Sequence, residues 1–233
     1  QQKHFSTQDG TSLFYRYRPA ADGSADKAIV LFHRGHKHSG RMMFVADELG
    51  FDDFAYFAWD ARGHGHSPGE RGDSPSIGTS VADVDDFIRH IQSEYGIKPE
   101  NICVIAQSVG AVLVSTWLHD YAPKIRCAVL ASPAFKVKLY VPFARTGLKI
   151  MQKWRGNFFV NSYVKAHYLT HNKERQTSYD NDPLIARAIS VRILLGLYEA
   201  AERVVADLLD LNLGVLEVEG AVHVLAEAGD KSV

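Results

Sequence analysis

With 233 residues, 46% of them apolar, the chain can bury one substantial core, and α/β folds of this length are commonly a single domain. Its 26 basic and 27 acidic residues nearly cancel, which excludes a global field for nucleic acid. No apolar run reaches the roughly 18 residues of a membrane span and no charged-then-apolar leader opens the chain, so a cytoplasmic protein is expected. The opening glutamine suits a trimmed or partial chain.

From His4 to Arg18 the pattern predicts a hairpin turning at Asp9-Gly10. Ala28 to Phe32 is a solid apolar strand ending at His33, and the loop HRGHKHSGR follows. Arg41 to Leu49 reads as a helix and Phe54 to Trp59 as a second buried strand, leading into the loop DARGHGHSPGERG from Asp60. Val81 to Tyr95 is amphipathic, with Val84, Phe87, Ile88 and Ile91 on one side and Asp85, Asp86, Arg89 and Gln92 on the other. Cys103 and Cys127 each fall in a predicted interior strand, as buried reduced thiols would.

Ile102 to Val114 carries the strongest local signal. A short apolar strand, Ile102 to Ala106, gives way at Ser108 to residues recurring at helical spacing: Val109, Val112, Leu113, Thr116 and Trp117. A serine at such a bend stands out of the sheet with the first N–H of a helix, that of Val109, beside it, which is the arrangement of a nucleophile elbow. The pattern is Ala106-x-Ser108-x-Gly110, with alanine in place of the usual first glycine. The competing reading is a buried serine in an ordinary strand-to-helix connection. With Cys127 to Ala131 as the next strand, strands and helices alternate long enough to predict a mostly parallel, doubly wound α/β sheet with its chemistry at the strand C-termini.

Together the HRGHKHSGR loop, the DARGHGHSPGERG loop and the AQSVG elbow, with Asn181-Asp182-Pro183-Leu184 further on, resemble α/β-hydrolases of the monoacylglycerol lipase and lysophospholipase group, also called serine aminopeptidase-like (S33). The likeness spans about residues 10–207 and extends to the hydrolase half of bacterial hydrolase–methyltransferase fusions, with no methyltransferase half present. It implies an α/β-hydrolase fold, one domain over residues 1–233, with a helical cap inserted from about Phe135 to Asp207. It also implies Ser108 as nucleophile and the backbone N–H groups of Gly35 and Val109 as oxyanion donors. His223, in GAVHVLAE after the apolar strand Val215 to Val218, resembles the family's base. The implied activity is hydrolysis of lipid-like esters through an acyl-enzyme, with no cofactor and no metal.

The triad acid is not identified. Residues from Ile193 to Leu208 keep an apolar helical face, so the stretch reads as a helix, and between Asp207 and Val215 there is no room for a strand, an acid-bearing loop and a helix. The acid-bearing unit is therefore expected to be missing, leaving Asp207 and Asp210 as substitutes. That gap keeps a second reading open, a degenerate hydrolase fold acting as a binding module. His33, His36 and His38 raise a third, a metal site, although no carboxylate or cysteine pair nearby completes it. His64 and His66 are expected to pack and hydrogen-bond beneath the site.

Lys136 to Arg155 holds six basic residues and no acidic one. Phe143, Ile150, Met151 and Trp154 share one helical face and Arg145, Lys149 and Lys153 another, which suits either a helix resting on an anionic membrane or one packed on the core. Phe158, Phe159, Tyr163 and Tyr168 are expected to line a lid or acyl pocket.

Overall fold

Alternating turn residues and apolar runs close the amino-terminal hairpin where expected. Strands β1 (Gln2–Ser6) and β2 (Ser12–Arg18) pair antiparallel, and Gly10 takes the left-handed conformation of the turn (φ 80°). The computed structural model describes residues 1–24, 26–135, 144–161, 165–166, 169–210, 216–218 and 222–225, with side chains as far as residue 207. After the hairpin come β3 (Ala28–Phe32), α1 (Phe44–Leu49), β4 (Ala55–Trp59), α2 (Ile77–Tyr95), β5 (Ile102–Gln107), α3 (Val109–Tyr121) and β6 (Cys127–Ala131). Then come α4 (Ala144–Arg155), β7 (Phe159–Asn161), α5 (Lys173–Asp180), β8 (Ala188–Ser190) and α6 (Val191–Asp210), followed by β9 (Leu216–Val218) and β10 (Val222–Leu225).

Among the described residues the main sheet has eight strands in the order β1-β2-β4-β3-β5-β6-β10-β9, while β7 and β8 form a separate ribbon. Its middle, β4-β3-β5-β6, is parallel. Because these strands are covered on both faces, β3 and β4 are apolar throughout. On one face Val30, Phe57 and Val104 meet Val84, Phe87 and Trp117 of α2 and α3. On the other, Ile29, Leu31 and Tyr56 pack with Met42 and Ala46 around α1. Helix α6 then lies on α3, with Ile193, Leu197 and Ala201 against Val112.

Three local expectations shift. Helix α2 begins four residues before Val81, because the Ser76 side chain caps it by accepting the Thr79 N–H at 2.9 Å. Asp85 and Asp86, expected on its wet face, are buried instead: Asp85 accepts the Trp117 indole N–H at 2.9 Å and Asp86 the Gln8 backbone N–H at 2.8 Å. The helix predicted from Arg41 starts only at Phe44, preceded by a single 3-10 turn over Ser39–Arg41 whose first N–H is taken by the Asp60 carboxylate at 2.5 Å.

The carboxy-terminal strands differ most. The short link between β9 and β10 permits only an antiparallel hairpin, since a parallel pair needs a crossover of a dozen or more residues. Strand β10 pairs antiparallel with β6, so His223 sits within a strand, opposite Leu130, instead of in a loop after the last strand. Cys103 and Cys127 are register partners in β5 and β6 and only partly buried; burial and the hydrogen-bonded Cys127 push the Cys103 thiol up to about 12.

Candidate active site

Ser108 sits between β5 and α3 at φ 56° and ψ −113°, a backbone conformation few residues other than glycine adopt. The surroundings hold it there. Its N–H donates to the Ala131 carbonyl at the end of β6 (3.0 Å), and its own carbonyl accepts from Ala134 N–H (3.3 Å) and Val112 N–H (3.2 Å). Gly110 lets the helix close on the sheet, for a Cβ there would lie 2.5 Å from the His33 carbonyl oxygen and 2.9 Å from that of Phe32. An elbow needs a small residue at this point for that reason.

The loop after β3 approaches the same turn. A Cβ on Gly35 would meet Val109 Cγ2 at 3.0 Å, so the Gly35 backbone lies close against the Val109 side chain. Helix α3 leaves its first N–H groups without intrahelical acceptors, and that end faces the space in front of Ser108. A cavity of about 210 Å³ opens there, walled by Ser108, Val109 and Leu113 on the elbow side and by Ile193, Leu194 and Leu197 of α6 on the other.

The histidines in the two loops are tied down. His33 Nε2 accepts the Ala61 backbone N–H (3.1 Å), so the ring proton is on Nδ1, which donates to the Arg34 carbonyl (2.8 Å). Burial pushes this imidazole below its ordinary pKa and keeps it neutral. His64 donates from Nδ1 to the Arg62 carbonyl (2.8 Å), and burial, with His33 beside it, brings it down to about 4. His38 pairs through Nε2 with Asp182 (2.9 Å), a carboxylate that also takes Arg41 Nε (2.7 Å) and thereby fastens the end of α5 to the loop after β3. His36, at φ 69°, lines the cavity. Among the described residues no group of three or more His, Cys, Asp or Glu side chains is arranged to hold a metal ion.

Beneath the cavity, Asp60 takes the Ser39 N–H (2.5 Å) and the His66 N–H (2.8 Å), joining the two loops. A Cβ on Gly65 would fall 2.0 Å from an Asp60 carboxylate oxygen, so that turn tolerates only glycine. Arg62 runs inward to Asp83 (2.6 Å) and reaches Asp9 of the hairpin (2.9 Å), locking the DARGHGHS loop to β1–β2 and α2.

Asp207 lies elsewhere. Its carboxylate meets His119 Nε2 at 2.9 Å, near the far end of α3 from Ser108 and some 16 Å along the axis at the usual helical rise. The Asp210 and His223 side chains lie outside the described residues. The His223 backbone does neighbour the elbow, because its partner Leu130 precedes Ala131, whose carbonyl holds Ser108 N–H. Sequence reasoning missed Asp73, the one carboxylate among the described residues lining the cavity; it binds Arg192 and Asn157 and ties the loop to the start of α6 and to the approach to β7. Only its position after Gly72 in the DARGHGHSPGERG loop hinted at it.

Helix α4 is oriented by its cations. Arg145 pairs with Glu202 and Lys149 with Glu199 (2.8 Å), both on α6. The apolar side is turned out: Ile150, Met151 and Trp154 are 57%, 47% and 89% exposed. Lys136, Lys138, Phe143, Tyr163 and Tyr168 lie outside the described residues.

This geometry accords with the comparisons. The family model of the serine aminopeptidase S33 hydrolases matches residues 23–229. The chain belongs to that family of α/β-hydrolases. It is 59% identical to a protein named YnbC of Escherichia coli (strain K12) over 209 residues, 90% of this chain and 36% of that protein, so it spans about a third of that relative's length. It is 28% identical to human monoglyceride lipase over 231 residues, 97% of this chain and 74% of the lipase. The crystal structure of Paleococcus ferrophilus monoacylglycerol lipase superposes with a TM-score of 0.68 at 26% identity, over 82% of this chain and 71% of that one. A soluble variant of the Saccharomyces cerevisiae monoglyceride lipase, solved with a substrate analog, gives a TM-score of 0.74 at 16% identity over 89% and 69% of the two chains, a likeness of fold alone. No helix among the described residues is long and apolar enough to cross a membrane.

Proposed function

We propose that the chain is a serine esterase acting on lipid-like carboxylic esters, with an acyl-enzyme formed at Ser108. The observation that supports this most is the strained elbow conformation of Ser108 at the mouth of an apolar cavity. Strain of about 1–3 kcal/mol persists only where the surrounding structure enforces it, and here the strained residue is part of the cavity wall. Ser108 Oγ attacks the ester carbonyl while His223 takes its proton; the alcohol leaves with that proton, and water then releases the acid by the same route. The N–H groups of Gly35 and Val109 stabilise the oxyanion, each typically contributing about 3 kcal/mol at the transition state. The family's monoglyceride lipases point to an acylglycerol-like substrate.

The cap, residues 135–207 in this reading, guides the acyl chain. Helix α4 presents Ile150, Met151 and Trp154 to solvent with Lys153 and Arg155 at its end, the pattern of a helix that settles into a lipid surface. Covalent labelling by a fluorophosphonate probe tests the proposal, since labelling requires an activated serine and is lost in Ser108→Ala. The binding-module reading gains support from one observation, the seating of Asp207 on His119 instead of near His223. A probe-inert protein that still binds acylglycerols would establish it.

A further inference from the structure

The loop after β3 carries two cations that the esterase chemistry does not use. Arg34 and Lys37 bracket one tight turn, closed by the Lys37 N–H donating to the Arg34 carbonyl at 3.2 Å. Gly35, the expected oxyanion donor, lies inside that turn, and Arg34 is part of the wall of the Ser108 cavity. Both side chains are half-buried. Among the described residues neither has a carboxylate partner.

The charged side chains acting on Lys37 are cationic. Burial, reinforced by the charges of Arg34, Arg41 and Arg175, pushes the Lys37 ammonium down to about 8. Burial likewise lowers Arg34, with only Tyr179 opposing. The nearby carboxylate, Asp182, is already committed: one oxygen takes His38 and Arg41, the other the Leu184 N–H at 3.0 Å. Desolvating cations with no counter-charge costs stability, and a cluster that keeps them so is set to receive an anion from outside.

We propose that the Arg34–Lys37 turn is a subsite for an anionic group, a phosphate, carried on the alcohol side of the ester whose carbonyl sits at Ser108. This rests on the esterase reading and narrows its substrate class from neutral acylglycerols to acylglycerol phosphates. The reaction is still hydrolysis: water adds across the acyl–oxygen bond, releasing the fatty acid and glycerol phosphate. Arg34 supplies the planar fork that engages two phosphate oxygens, and Lys37 supplies a point charge at the other end of the turn.

The test compares monodecanoylglycerol with decanoylglycerol phosphate. At pH 7 the phosphate ester is expected to show a KM about tenfold lower, an advantage lost in Lys37→Gln while the neutral ester's KM and kcat stay unchanged; charge-assisted hydrogen bonds carry that much. Arg34→Gln lowers the ratio of the two kcat/KM values further. Equal KM values, with normal turnover of the neutral ester, overturn this inference and leave the esterase reading intact. Calorimetric titration of both esters into Ser108→Ala reads the subsite without turnover: preferential, Lys37-dependent binding of the phosphate ester supports it. Equal binding of the two esters overturns it. So does inorganic phosphate binding to the turn with no preference between them, which marks a site for the free anion.

Discussion

His119 Nε2 lies 2.9 Å from the Asp207 carboxylate, while its Nδ1 lies 2.6 Å from Asp120. This imidazole therefore joins α3 to α6 at the end of the molecule opposite the elbow, and Arg203 completes the cluster by pairing with Asp120. Asp207 is thereby spent on packing two helices. Asp207→Asn is expected to cost no more than about 1 kcal/mol, as an exposed ion pair does, and to leave p-nitrophenyl acetate hydrolysis unchanged. A fall of about four orders of magnitude would instead identify Asp207 as the triad acid. If no carboxylate orients His223, parent turnover of that activated ester is expected to be weak.

Ser108 separates chemistry from strain. Ser108→Ala should abolish hydrolysis and probe labelling and leave the far-UV spectrum and melting temperature close to the parent's, because it keeps both backbone and packing. Ser108→Gly should be equally inactive but more stable by about 1 kcal/mol, since glycine relieves a φ of 56° and repays only part of that through its freer unfolded chain. Thermal melts of the pair check this. A glycine variant less stable than the alanine variant would mean the elbow is not strained.

The strand-to-helix turn at Ser108 and the parallel middle of the sheet were legible in the sequence because both depend on local pattern. Ala28–Phe32 and Cys127–Ala131 appear with the predicted bounds, and α3 begins at the residue after Ser108. Asp85 and Asp86 were misplaced because helical periodicity assigns charge to water, whereas Trp117 and Gln8, distant in the chain, supply the donors that make burial tolerable. The outward apolar face of α4 was equally hidden: its direction is decided by Glu199 and Glu202 on another helix. For His223 the sequence motif located the segment but not its pairing, which follows from the short link between β9 and β10.

His64 makes stability pH-dependent. Its folded pKa is depressed to about 4 by burial and by His33, against about 6.5 when unfolded. As pH falls through 6.5 the unfolded chain takes up a proton that the folded chain refuses, so stability present at neutral pH is lost progressively down to about 4. The loss amounts to at most on the order of 3–4 kcal/mol, and His33, shifted in the same direction, adds to it. Urea unfolding between pH 7 and pH 4 should show the decline, and His64→Gln should flatten it. A variant with the same slope as the parent would assign the decline to other groups.

The last expectation concerns α4 and sorts charge from apolar contact. Arg145 and Lys149 are held by Glu202 and Glu199, so lipid headgroups do not find them free, whereas Trp154, Ile150 and Met151 already face outward. Insertion of an exposed large apolar side chain is worth about 1.5–3 kcal/mol, and an indole at the interface adds an anchor that salt does not screen. Ile150→Ser with Trp154→Ser should therefore weaken vesicle binding more than tenfold and leave turnover of a short soluble ester unaltered. Raising ionic strength should remove only the smaller part contributed by Lys153 and Arg155. Reversing Arg145 and Lys149 should act differently, loosening α4 from α6 and lowering the melting temperature. Sedimentation with anionic and neutral vesicles reads the first two effects, and a thermal melt reads the third. Binding that disappears in high salt, or survives the double serine variant, would return the contact to the cationic face; no binding by the parent would remove lipid contact from the account of α4 altogether.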